Sequence, residues 1–161
     1  MEVNDCIDIY MRNAAPATRP AADALYLPGW SRDDWNKLLS RTVPLRFHTG
    51  DMVIQRSAID RTLNFVVSGT LEVGIIQVDG VSIVQLAHII AGSVVGEQSF
   101  FDSQPRSANV WATSDGELLR LDIAEFENFS RAEPALARDL LFALGRVLSA
   151  RLRNTSFRVR R

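Results

Sequence analysis

The sequence predicts an α+β chain in which a β-sandwich or barrel lies between an N-terminal helical segment and C-terminal helices. Three observations carry this. Residues 45–122 are short β-branched and aromatic runs broken by turn residues, the texture of a sandwich or barrel. Ahead of them, Ser31-Arg32-Asp33-Asp34 opens a run with apolar residues at helical spacing. Behind them, Leu136, Leu140, Leu144, Leu148 and Leu152 recur every four residues, the stripe of a helix with one apolar face.

Taken in order, the first residues are rich in Ala, Pro and Asn. They predict a flexible arm over 1–24, with at most a short helical turn around Ile7 to Met11. The folded domain is expected over 25–154. Ser31 suits a helix N-cap, with Asp33 and Asp34 in the positive first turn; Trp35, Leu38 and Leu39 then share a face, and Pro44 is expected to end the helix. Arg46 to Asp51 reads as a strand and a glycine turn, followed by Met52-Val53-Ile54. Leu63 to Val67 is the next strand, Ser68-Gly69 breaks it, and Thr70 to Val78 resumes the pattern. Asp79-Gly80 is a two-residue hairpin signal, since both residues tolerate positive φ, and Val81 to Leu86 returns. Ala108 to Thr113 and Leu118 to Asp122 complete the strands. Ile123 to Ser130 suits a short helix, and a long one follows Pro134. Leu141 and Val147 widen its stripe, which serves packing on its own domain or is broad enough to pair with a second copy as well.

Composition bounds the function. At 161 residues the chain fits one domain with its own core. Its net charge of -1 points to neither a nucleic-acid nor a membrane partner. The lone Cys6 cannot form an internal disulfide, no apolar run reaches the ~18 residues that span a bilayer, and Met1-Glu2-Val3-Asn4-Asp5 does not open a secretory signal. A cytoplasmic location is expected. His48 and His88 stand forty positions apart, without the close His pair and Glu of a cupin-type site, so no metal is expected and both read as surface or turn residues. Trp111 reads as a packing residue. No nucleophile–base pair is legible, so an enzyme is not expected. Residues 155–161 form a basic tail; with Arg151 and Arg153 it reads as a solvated helix end whose cations complement the dipole, or as a surface for an acidic partner.

The segment that carries chemistry runs from Gly92 to Ala108. It holds a glycine followed by a carboxylate, a short apolar helical turn, and Pro105-Arg106-Ser107-Ala108. Free N–H groups of the turn favour an anion, Arg106 can fork onto a phosphate, Ser107 adds a hydroxyl, and Glu97 suits a sugar hydroxyl. A ribose phosphate fits this set; so does a plain Glu97–Arg106 ion pair on a surface loop.

The segment resembles the phosphate-binding cassette of the cyclic-nucleotide-binding family, the family of the protein kinase A regulatory subunit and the catabolite activator protein. The cassette pattern is Gly-Glu, eight or nine residues, then Arg-Ser/Thr/Ala-Ala, and here Gly96-Glu97 is followed by eight residues and Arg106-Ser107-Ala108. The likeness spans roughly Leu27 to Arg153, with Phe47, Gly50-Asp51 and Val66-Val67-Ser68-Gly69 in the family's order.

The resemblance implies a jelly-roll-like antiparallel β-sandwich, the β-roll, with a C-terminal helix acting as a lid. It implies that Glu97 accepts the ribose 2′-hydroxyl and Arg106 pairs with the cyclic phosphate. Ser107 and Ala108 would complete the cradle, and Gly96 would allow close backbone approach. Gln98 and Ser99 join the expected ligand-binding set, although Gln98 stands where the family usually has an apolar residue. The loop Arg56 to Asp60 lacks the glycine often found before the third strand. Ser107 occupies a position where members favouring cGMP often carry Thr, so cAMP is expected over cGMP. No helix-turn-helix pattern follows the last helix, so direct DNA binding is not expected and output passes to an unknown protein effector or a homodimer. The alternatives are an interaction module of the same fold that no longer binds nucleotide, and a truncated transcription regulator.

Overall fold

A computed structural model describes residues 3–14, 21–76 and 83–159, the side chains of 3–4 and 156–159 excepted. The element order is α1 (Val3–Asn13), α2 (Arg32–Leu39), β1 (Val43–Phe47), β2 (Met52–Ile54), β3 (Leu63–Ser68), β4 (Thr70–Ile76), β5 (Ile83–Ile90), β6 (Val94–Val95), α3 (Glu97–Asp102), β7 (Asn109–Ala112), β8 (Gly116–Leu121), α4 (Ile123–Ala132) and α5 (Pro134–Val159). The chain divides into two compact units, one made of Met1–Val43 with Leu121–Arg161 and the other of Pro44–Arg120.

The Pro44–Arg120 unit is the β-roll. Its strands form two four-stranded sheets, in the orders β1-β8-β3-β6 and β2-β7-β4-β5. Alternation of side chains across each strand sends Leu71 of β4 and its cross-strand partner Ile89 of β5 to one face. There they join Phe47, Ile54, Val66, Val95, Val110, Ala112 and Leu118 in a buried core, each large side chain contributing about 1.5–3 kcal/mol. Between β3 and β4 the chain turns at Gly69, where φ is 77°. A Cβ there would lie 2.5 Å from the Asp115 carbonyl oxygen, and one on Gly116 would lie 2.3 Å from that of Ser68. Only paired glycines let these two backbones approach so closely.

In the other unit, α2 begins as expected at Ser31. The Ser31 hydroxyl accepts from the Asp34 N–H at 3.2 Å, and the Asp34 carboxylate takes the Ser31 N–H at 2.9 Å, a reciprocal capping box. The helix stops at Leu39 with Ser40 as its C-cap, so Pro44 belongs to β1 and does not end it. Along α1, Cys6, Ile7 and Tyr10 are fully buried. Tyr10 stacks on Trp35 at 5.0 Å, and Trp30 meets Trp35 edge-on at 4.9 Å. The flexible arm expected over 1–24 is thereby corrected for this stretch: three turns of amphipathic helix pack on α2, and the apolar residues at i, i+1 and i+4 are the cause.

Helix α5 packs on α4; along it Ala137, Leu140, Leu144 and Val147 are buried, whereas Phe142 and Leu152 are 73% and 69% exposed. The leucine stripe therefore divides between a buried and an open face. The helix runs on to Val159, into the stretch expected as a tail. Strand β5 continues past Leu86 to Ile90, and the short β6 was not expected. The Asp79-Gly80 turn lies outside the described residues. Among these residues no helix is long and apolar enough to cross a membrane.

Candidate ligand-binding site

Two of the segments that cross from one sheet to the other meet at the site. Residues 55–62 lead from β2 to β3, and residues 96–108 lead from β6 to β7. They run side by side, tied by main-chain bonds: Ser57 N–H donates to the Arg106 carbonyl at 2.8 Å, and Arg106 N–H to the Ala58 carbonyl at 2.9 Å. The turn that lacks the expected glycine is made by Ser57, whose φ of 70° is left-handed.

The second crossing holds every site residue named from the sequence. Pairing of β6 with β3, Phe65 opposite Val94 and Asn64 opposite Val95, delivers the chain to Gly96. Gly96 has φ of 90°, and a Cβ there would come within 2.6 Å of Arg106 Nη1 and 2.8 Å of the Thr62 carbonyl oxygen. Glycine is thus required twice over, by conformation and by space. Helix α3 follows, with Glu97 and Ser99 buried and Gln98 exposed. Ser103, at φ 60°, closes it by donating its N–H to the Ser99 carbonyl.

Arg106 is the centre. Its side chain is 3% exposed, so its charge must be met inside the protein. Nη1 donates to the Gly96 carbonyl at 2.8 Å. Nη2 donates to Asp60 Oδ2 at 2.7 Å, to the Thr62 carbonyl at 2.8 Å and to Thr62 Oγ1 at 2.9 Å. Its Nε–H is buried with no hydrogen-bond partner among the described residues.

Asp60 is organised in turn. Its carboxylate accepts from the Thr62 N–H at 3.0 Å and the Thr62 hydroxyl at 3.1 Å, and Arg120 Nη2 lies 3.7 Å away. Burial pushes the Asp60 carboxyl up, but the Arg106 guanidinium, with help from Thr62, outweighs it and holds the group below the ordinary aspartate value.

The structure brings Gly96 to Arg106 and Gln98 to Ser107, whose hydroxyl donates to Gln98 Oε1 at 2.5 Å. The ion-pair partner of Arg106 is Asp60, which the sequence reasoning did not name. The polar Gln98 finds its use here, holding the cradle serine. Ala108 is buried at the start of β7. Trp111 lies over Gly74 of the neighbouring strand, 2.7 Å from where a Cβ would stand. His48 and His88 have side chains 78% and 52% exposed. Among the described residues no group of three or more His, Cys, Asp or Glu could hold a metal.

A nearly buried arginine with a spare donor, beside a left-handed glycine and a buried glutamate, suits an anionic sugar phosphate. The chain is 26% identical over 121 residues to cyclic GMP-binding protein C of Dictyostelium discoideum, which covers 75% of this chain but only 4% of that much longer protein. A cyclic nucleotide-binding domain from Methylobacillus flagellatus superposes with a TM-score of 0.81 at 18% identity, over 98% of this chain and 84% of its own. The catabolite activator protein of Thermus thermophilus gives 0.69 at 27% identity, over 81% of this chain and 59% of its own. The model of the cyclic nucleotide-binding domain matches residues 44–133, more than half of the chain, which spans the roll, the cassette and α4; the protein belongs to the cyclic nucleotide-binding domain family.

Proposed function

We propose that this protein is a cAMP sensor. Arg106 pairs with the cyclic phosphate, Glu97 accepts the ribose 2′-hydroxyl, and Ser107 and the Ala108 N–H close the phosphate cradle. Gly96 gives the approach, Ser99 completes the lining, and Gln98 takes part through Ser107, whose hydroxyl it holds. The observation that carries this is Arg106: a buried guanidinium fixed by four acceptors within 2.9 Å with its Nε–H still unpartnered. An exocyclic phosphate oxygen supplies the charge-assisted bond that this donor lacks. Ser107, in place of a threonine, favours cAMP over cGMP.

Binding is coupled to output through α5. The ligand draws this helix over the base as a lid, which changes what its open face, with Phe142 and Leu152, offers to an effector protein or to a second copy. Titration calorimetry with cAMP, cGMP and cyclic dinucleotides tests the ligand. The expected result is a one-site isotherm, tightest for cAMP; heat from none of them sinks the sensor reading in favour of an interaction module. Hydrogen exchange tests the lid: cAMP is expected to protect amides from Leu140 to Leu152 as well as those of the cassette. Protection confined to 96–108 leaves a passive binder.

A further inference from the structure

Residues 60–62 touch the cassette at two separated points. Asp60 and Thr62 hold Arg106, while Arg61 between them donates from Nη2 to the Phe100 carbonyl at 2.9 Å. That carbonyl belongs to the last turn of α3. The Gln104 N–H, which would close a further turn onto it, bonds Asp102 Oδ1 instead, at 2.9 Å.

Helix α3 has six residues, too few to hold itself together in water. Left-handed residues flank it, Gly96 at φ 90° and Ser103 at φ 60°. Its direction must therefore come from tertiary contacts. Two of these are guanidinium-to-carbonyl bonds near its opposite ends: Arg106 to Gly96, and Arg61 to Phe100.

We propose that Arg61 is a positioning residue for the ribose end of the site. Resting on the nucleotide-binding reading above, the inference is that one three-residue brace sets both arms. Asp60 and Thr62 place the phosphate-binding Arg106, and Arg61 fixes the line of α3 and with it Glu97. The distance between the phosphate and ribose contacts is then a property of the brace, present before ligand arrives.

The test uses the full chain with Arg61→Met, which keeps the apolar stem and removes the donors, and Arg61→Lys, which restores one. Amide exchange of residues 97–103 is measured without ligand, and Kd is measured for cAMP and its 2′-deoxy analogue. In Arg61→Met the exchange of these amides accelerates, while the β3 and β4 amides keep their rates. Its cAMP affinity drops by roughly tenfold, as loss of one charge-assisted bond implies. The affinity ratio between cAMP and the 2′-deoxy compound narrows, and Arg61→Lys recovers part of both effects. A merely structural arginine would lower both affinities alike and leave the ratio alone. Parent exchange rates over 97–103 together with a parent ratio overturn the proposal. If the parent binds no cyclic nucleotide, the functional reading fails separately, and the exchange rates alone decide on the brace.

Discussion

Arg106 and Ser107 are adjacent in sequence and differ in every physical respect. The arginine is buried, gripped by Asp60, Thr62 and Gly96, and has nowhere else to go. The serine is exposed and held by one bond to an exposed Gln98. The contrast separates two tasks. A fixed cation puts most of its binding strength in place in advance, because no ordering cost remains when the anion arrives. A loosely held hydroxyl exchanges one acceptor for another at small net gain and is suited to adjusting fit.

The largest effect should come from the gripped side. Arg106→Ala is expected to weaken cAMP binding by about 2–5 kcal/mol, because the phosphate charge loses its buried partner. Arg106→Lys should recover only part, since a lysine cannot serve Gly96, Asp60 and phosphate in one plane. Calorimetry showing parent affinity for Arg106→Ala would remove the foundation of the comparison.

Glu97→Ala should cost about 1.5–3 kcal/mol, the worth of a bond to a charged group. It should also abolish the preference for cAMP over its 2′-deoxy analogue. If the parent itself shows no such preference, Glu97 has another role.

Asp60→Asn comes third, with Kd raised about three- to tenfold as Arg106 keeps an acceptor but loses the ion pair. Stability gives an independent reading of the same residue. The folded state holds the Asp60 carboxyl below its ordinary value, so the unfolded chain takes up that proton first as acid is added. The contribution is complete above the ordinary aspartate value and is lost as pH falls through the lowered one. Denaturant midpoints of parent and Asp60→Asn should therefore differ at neutral pH and converge in acid. A constant gap down to the acid limit would show that Asp60 does not act through its charge.

The smallest effect belongs to the loose side. Ser107→Ala and Gln98→Leu should each change Kd by about two- to threefold, and together by no more than Ser107→Ala alone, since Gln98 acts on the serine. Additive losses would mean that Gln98 has its own contact with ligand.

What could be read in the sequence follows the same division between local and distant causes. The order Gly96-Glu97 and Arg106-Ser107-Ala108 is local, and so are the Ser31 cap, the strand runs and the long leucine stripe. Asp60 and Thr62 were missed because they meet Arg106 across separations of 46 and 44 residues, and only the side-by-side packing of the crossings 55–62 and 96–108, which run between the sheets in opposite senses, makes them neighbours. The faint signal was an acidic and a basic residue, Asp60-Arg61, set directly before the buried run of β3. Strand β6 escaped because two residues carry no period. Helix α1 was misjudged on its Ala- and Pro-rich surroundings, although Cys6, Ile7 and Tyr10 already marked an apolar face.

Trp111 has a practical side. Of the three tryptophans, Trp30 and Trp35 sit in one compact unit and Trp111 alone in the other. It stands on β7, the strand that Arg106 leads into, and rests on Gly74 of β4. With Trp30 and Trp35 replaced by phenylalanine, all indole emission would come from the roll. Arrival of a nucleotide in the cassette would then be visible as a change in colour or intensity from a single native side chain, in real time and without any label.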